Sequence, residues 1–297
     1  KFVLFCLGTA LIGVFNGFGQ YYRFAAAEVC SAEYRSRAIS YVLAGGVLAA
    51  FVGPNLANWS RQALSVEFAG CFISLIVLYF LSLCVASLLR IQGPARAAGR
   101  RGGRPLIEIA RQRAYIVAVV SAMVGYGSMN FIMIATPLAM QHHAHPFADT
   151  AFVIQWHVFG MFAPSFFTGH LIRRFGAANV MLAGILLVGL CIGMNFAGTS
   201  VTHFWAALLF LGLGWNFLFL GATTLVTETY DANEKARAQA LNDFMVFGTV
   251  SVTSFSSGAI QHALGWQTIN LAVIPFLALV LAANLWLRRK SIRPIHP

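Results

Sequence analysis

The chain has 297 residues, of which 59% are hydrophobic and only 10% charged, with a net charge of +11. A water-soluble fold of that length would lack the polar residues to cover its surface, so this composition excludes a soluble globular domain and makes lipid the expected solvent. Whether the basic excess marks a nucleic-acid footprint or a membrane topology depends on where the charges fall.

Nine apolar stretches, each near the roughly 20 residues that carry an α-helix across a bilayer, recur along the chain. They run approximately over 2–25, 39–57, 69–89, 115–138, 148–170, 178–197, 204–226, 244–262 and 268–287. The runs are apolar all round and lack the two-residue alternation of barrel strands, so the expected fold class is all-α, a polytopic bundle of membrane helices. Cys6, Cys30, Cys71, Cys84 and Cys191 lie in or beside these runs without a CxxC pair and read as small hydrophobes.

The positive charge alternates with the helices. The connections after the first, third, fifth and seventh runs, together with the C-terminal tail, hold 17 of the 20 Lys and Arg residues. The other connections hold only Arg61. That bias is the positive-inside rule: it places the basic connections and the C-terminus in the cytoplasm and removes the case for nucleic acid. The basic stretch 90–113 reads as a linker facing anionic lipid.

An internal repeat appears at an offset of 200 residues. Glu28 falls on Glu228, Arg35 on Lys235, Arg37 on Arg237 and Ala38 on Ala238, and the helices that follow start in step. The first three runs thus correspond to the last three, and the middle three have no partner. On this pattern three further helices are expected before residue 1, giving two halves of six.

Two parallel six-helix halves joined by a basic connection resemble the major facilitator superfamily, and three local motifs agree. The stretch Gly169-His170-Leu171-Ile172-Arg173-Arg174-Phe175-Gly176 is similar to the family's cytoplasmic loop motif, with Arg173 in the place of the usual acid. The repeated Glu-to-Arg connection is the second. Gly53-Pro54 is the third; it is similar to a motif of exporters, but Ala57 and Asn58 stand where glycines are usual. The resemblance implies nine visible helices of twelve: 1–90 closing the N-terminal half, 91–113 as the linker, and 114–297 as the C-terminal half with a short tail. It also implies a monomeric secondary transporter in a bacterial inner membrane, without cofactor, that alternates access to a small organic solute by rocking one half against the other.

Polar side chains at membrane depth are costly and usually face a cavity, so they are the candidate transport residues. Arg23, preceded by Gln20 and Tyr21, either offers a guanidinium fork to an anionic substrate or pairs with a buried acid. Gln155, Trp156 and His157 fall near a midplane; His157 is either a proton carrier, which would make the proton the coupling ion, or a neutral imidazole bonded to a helix carbonyl. Trp215 and Asn216, after Gly212 and Gly214, either bind substrate or pack helices closely. Asn130 lies nearer the outside, before Thr136-Pro137. In the resembled family a cytoplasmic charge network closes the inner gate. It maps onto Glu28, Arg35, Arg37, Arg173, Arg174, Glu228, Arg237 and Asp243, with Glu228 and Arg174 as the expected pair.

The cluster His142-His143-x-His145 has no carboxylate near it except Asp149, so no metal site is expected. No GxxxxGK, HExxH or GxSxG motif occurs, which leaves ATP-driven transport and those hydrolases unsupported. The different-class alternatives are an intramembrane enzyme or a non-transporting receptor. Among transporters, an efflux antiporter of a drug or metabolite is the alternative to uptake.

Overall fold

The computed structural model describes residues 2–19, 22, 35–88, 103–231 and 233–291; for Asn16, residues 35–41, 43–44 and 289–291 it describes the backbone alone. All regular elements among these residues are helices: α1 (Phe2–Gly19), α2 (Arg35–Ser60), α3 (Ala69–Ser87), α4 (Leu106–Ala110), α5 (Arg113–His142), α6 (Phe147–Phe162), α7 (Ser165–Phe175), α8 (Ala177–Ala197), α9 (Val201–Thr227) and α10 (Lys235–Ser291). They fall into two compact units, one from residues 1–49 and 60–97 and the other from residues 50–59 and 98–297.

Six of these helices, not nine, are long and apolar enough to cross a membrane among the described residues. The expected run 148–170 is broken: Pro164 has no N–H to continue the ladder, so α6 ends at Phe162 and α7 begins at Ser165, and neither half is long enough alone. The last two runs lie on either side of Gly265 (φ 80°), a non-helical residue at which α10 kinks between two helices, in a conformation that a residue with a β-carbon rarely adopts. The 26-residue α2 also falls outside the six; its interior carries Pro54. The spacing of the repeat persists in the backbone, since α2 starts at Arg35 and α10 at Lys235.

In the first unit, Phe5 of α1 meets Phe72 of α3 edge-on, with ring centroids 6.4 Å apart, and Phe15 meets Tyr79 at 4.4 Å. The turn before α3 is closed by a bond from the Phe68 N–H to the Arg61 carbonyl at 2.8 Å, and by the Arg61–Glu67 ion pair.

In the second unit α5 and α9 form the centre. α10 packs along α5, while α9 packs against α5, α6 and α8. Its buried core joins Ile132, Met140, Met181, Leu208, Leu211 and Ile269, whereas Phe244 and Phe255 of α10 are 75% and 87% exposed. Large apolar side chains turned outward are what a lipid solvent permits. Basic residues collect at one end of this unit, around the starts of α5 and α10, and the opposite end, residues 142–146, 198–200 and 263–267, has no Lys or Arg.

Candidate functional site

The α6–α7 break is held from α9. Asn216 is fully buried; its Nδ2 donates to the Met161 carbonyl (2.6 Å) and to Ser165 Oγ (2.7 Å), and its Oδ1 accepts from the Thr168 hydroxyl (2.7 Å). Three bonds from one amide thus fix the break left by Pro164. His157 is also fully buried, with Nδ1 donating to the Leu208 carbonyl of α9 at 2.8 Å. Gly212 and Gly214 are the reason α9 can come so close. A β-carbon at Gly212 would strike the His157 carbonyl oxygen, and one at Gly214 would lie 2.8 Å from a Val188 methyl on α8. Asn216→Ala is expected to lower stability by about 1 kcal/mol, the size of a good interhelix hydrogen bond in a membrane, and to leave substrate affinity unchanged. A tenfold loss of affinity at unchanged stability would instead put the amide in the binding site.

Next to this packing seam lies an aromatic cluster. Trp215 and Phe219, four residues apart and so on one face of α9, stack nearly parallel at 5.2 Å and 11°. Tyr126, near the middle of α5, stands edge-on to both, at 5.3 Å and 5.4 Å. Phe247 of α10 is 5.9 Å from Tyr126, and Phe162 of α6 is 6.3 Å from Trp215. The buried Trp215 Nε1 has no partner. Of these rings only Trp215 was marked by sequence; its four-residue spacing to Phe219 is a signal that could have found that ring, and nothing in the sequence singles out Tyr126 or Phe247.

Gln155 and Trp156 belong to a second group. Asn55 Nδ2 donates to Gln155 Oε1 at 2.7 Å, and Trp156 lies within 6.5 Å of Phe51, Phe152, Phe159 and Trp205. Asn55 was missed in the sequence. Asn130 ties α5 to α10: its Nδ2 sits 2.8 Å from Ser254 Oγ, 3.1 Å from Thr253 Oγ1 and 3.3 Å from the Val250 carbonyl.

Gln20, Tyr21, Arg23 and Glu28 lie outside the described residues, as do the side chains of Arg35 and Arg37. At the basic end of the second unit the expected Glu228–Arg174 pair is not formed. Glu228 is exposed at the C-terminus of α9, and the exposed Arg174 lies over the Phe175 ring at 5.3 Å. The stretch 171–175, expected beyond the end of the run, continues the helix α7, because nothing in His170–Phe175 breaks the ladder; only Gly176, at φ 82°, makes the turn. Arg173, Arg237 and Asp243 are exposed, and Asp243 accepts from Asn242 at 3.1 Å.

The ion pair built at this end is one the sequence did not mark. Arg104 reaches Glu234 with Nη2 (2.7 Å), Nε (3.0 Å) and its backbone N–H (2.6 Å), and Nη2 also donates to the Thr229 carbonyl. The Asp231 N–H and Gln112 Nε2, the latter onto Thr229, complete the knot. It pins the chain entering α5 to the α9–α10 turn.

Among the described residues no group of three or more His, Cys, Asp or Glu side chains is placed to hold a metal ion. The profile of the Major Facilitator Superfamily matches residues 117–297. The riboflavin transporter RfnT of Brucella anthropi is 45% identical over 284 residues, covering 95% of this chain and 71% of that protein. The chain belongs to the Major Facilitator Superfamily. It is a multi-helix membrane protein of a transporter family and not an enzyme. The uncharacterized MFS-type transporter YdeG of Bacillus subtilis is 29% identical over 281 residues, covering 89% of this chain and 63% of its own length. A bacterial homologue of the iron transporter ferroportin, in an outward-facing state, matches in fold with a TM-score of 0.54 at 14% identity, over 90% of this chain and 67% of that one. The chain therefore spans about two thirds of the length of these relatives.

Proposed function

We propose that this chain is the larger part of a secondary transporter of the bacterial inner membrane whose substrate is a flat heteroaromatic solute, riboflavin first. The 45% identity to a riboflavin transporter over nearly the whole chain carries the reading. The aromatic cluster of Tyr126, Trp215, Phe219 and Phe247 supports it, since stacked and edge-on rings at mid-helix offer a tricyclic ring system large apolar contact. The unpartnered Trp215 Nε1 adds one donor for a ring carbonyl. Residues 1–90 would close the N-terminal half and 114–297 form the C-terminal half, joined through 91–113. Arg23 remains the candidate anion fork. His157, shut from solvent with Nδ1 on the Leu208 carbonyl and Nε2 unpaired, is assigned to helix packing instead of proton transfer.

The test is uptake of radiolabelled riboflavin by riboflavin-auxotrophic cells expressing the full-length protein. Wild type is expected to transport, and Trp215→Ala to raise KM about tenfold or more, since stacking one base-like ring on an aromatic side chain contributes roughly 1–3 kcal/mol. No uptake or efflux of riboflavin by the wild type defeats the substrate assignment. Direction is read from the same cells: accumulation marks an importer, and loss from preloaded cells an efflux antiporter.

A further inference from the structure

The basic end of the second unit carries charge that the protein does not neutralise. Among the described residues the two ion pairs are Arg61–Glu67 and Arg104–Glu234. Arg111 and Arg113, at the entry to α5, and Arg288, near the end of α10, are exposed and have no carboxylate partner there. One of the three is held in place: the Arg113 guanidinium lies over the Trp286 ring of α10, 5.0 Å from its centroid. Farther from this end Asn284 Nδ2 donates to Ser121 Oγ (3.4 Å), joining the same two helices.

Beyond the arginine both helices turn apolar on the outside. Ile116, one turn into α5 from Arg113, is exposed, as are Ala282 and Leu279, one and two turns before Trp286 and so on its face of α10. In the topology that the charges imply, Trp286 stands at the boundary between headgroups and hydrocarbon on the cytoplasmic side, where tryptophan is enriched in membrane proteins. A guanidinium presents a planar fork of N–H donors that fits a phosphate, and one held over a ring still has those donors to give. A free phosphate would answer the arginine alone. A phospholipid answers both parts of the surface, its phosphate meeting Arg113 while an acyl chain lies along Ile116, Ala282 and Leu279. Charge selects the headgroup: a zwitterionic one brings its own cation up to Arg111 and Arg288, and a net anionic one does not.

From this we infer that Arg113 and Trp286 form the binding site for one phospholipid with a net anionic headgroup in the cytoplasmic leaflet, with Arg111 and Arg288 supplying further positive charge at the same end. The site rests on the reading of the chain as a membrane protein with its basic end in the cytoplasm, and on no particular substrate. Its test needs neither transport nor a known solute, so failure of the riboflavin assignment leaves it standing.

The full-length protein is reconstituted in nanodiscs of phosphatidylcholine and phosphatidylglycerol in which one lipid or the other is brominated in its acyl chains. The tryptophan fluorescence that Trp286→Phe removes is the signal, because that difference isolates the ring beside Arg113 from the other indoles. Brominated phosphatidylglycerol is expected to quench it at about fivefold lower mole fraction than brominated phosphatidylcholine, the preference that one basic residue near a membrane surface confers on an anionic lipid. Arg113→Gln should bring the two lipids within about twofold of each other, Arg113→Lys should keep most of the preference, and about 1 M salt should weaken it in the wild type. Unchanged melting confirms folding of each variant. Equal quenching by the two lipids in the wild type overturns the inference, as does a preference of wild-type size in folded Arg113→Gln, which would put the headgroup elsewhere. Should Arg113→Gln not fold, the salt series decides: a wild-type preference that survives high salt undiminished overturns the charge-selected site.

Discussion

Gly212→Ala is expected to pry α6 from α9 and cost about 3 kcal/mol or more, the upper range for forcing a methyl into a packed interior. The added carbon would meet the His157 carbonyl oxygen, the Met161 nitrogen at 3.0 Å and the Gly160 carbonyl carbon at 3.1 Å. All three are backbone atoms, so no rotamer change can make room. One turn away Gly160 has the same constraint, its own β-carbon position lying 3.0 Å from the Leu209 carbonyl oxygen. The two helices therefore touch backbone to backbone, and the His157–Leu208 and Asn216–Met161 bonds depend on that distance. Gly189→Ala and Gly193→Ala on α8, where nothing lies within 4 Å of the new carbon, are the controls. Thermal melting in detergent, followed by size-exclusion fluorescence, should show Gly212→Ala largely lost at temperatures where both controls stay intact. A melting temperature within a degree of wild type would mean that the seam is not closed in the protein as it folds in a membrane.

The contrast between these glycines shows which parts of the structure sequence could reach. Helix existence was legible because bilayer thickness dictates length, and apolar runs of that length have few other solutions. The correspondence of the two connections was legible from the repeat, but the run was expected from 244 and α10 begins nine residues earlier, at Lys235. The break at Pro164 was not, because Ala163-Pro164-Ser165 sits inside a run apolar enough to read as one span, and proline is tolerated inside membrane helices. Gly212 and Gly214 showed that something approaches α9, but not that two different helices do. The aromatic cluster was the least accessible. Tyr126 and Phe247 join Trp215 from helices 89 and 32 residues away along the chain, and among 26 phenylalanines no local pattern distinguishes the ones that converge. The ion pair at the basic end was also out of reach: Arg104 and Glu234 are 130 residues apart and belong to no motif, while Glu28 and the side chains of Arg35 and Arg37 of the expected gate lie outside the described residues.

That pair leads to the second large effect, which is acid-dependent. Glu234 has a side chain 2% exposed and Arg104 one 42% exposed, so the carboxylate is enclosed and its partner arrives from the surface. The Arg104 guanidinium, helped by the backbone N–H groups of Asp231 and Arg104, holds the Glu234 carboxyl down at about 2, against an ordinary value of 4.5. A carboxyl whose pKa is lower folded than unfolded stabilises the fold at pH above the unfolded value, and that stabilisation is lost as pH falls through the folded one. The pair is therefore intact above about pH 4.5 and fades between there and about pH 2. Arg104→Ala is expected to be more damaging than Glu234→Gln, because it strands a buried charge on two backbone donors, whereas glutamine keeps the shape and removes the charge. At neutral pH the melting temperature should fall by roughly 5 °C or more in Arg104→Ala and by less in Glu234→Gln. Below pH 4.5 the wild-type curve should drop steeply and the Glu234→Gln curve more gently, so that the two converge. Parallel curves across that window would show that the charge contributes nothing, and that the α5 entry is held by neutral bonds such as Gln112 to Thr229 and Tyr115 to the Ala238 carbonyl.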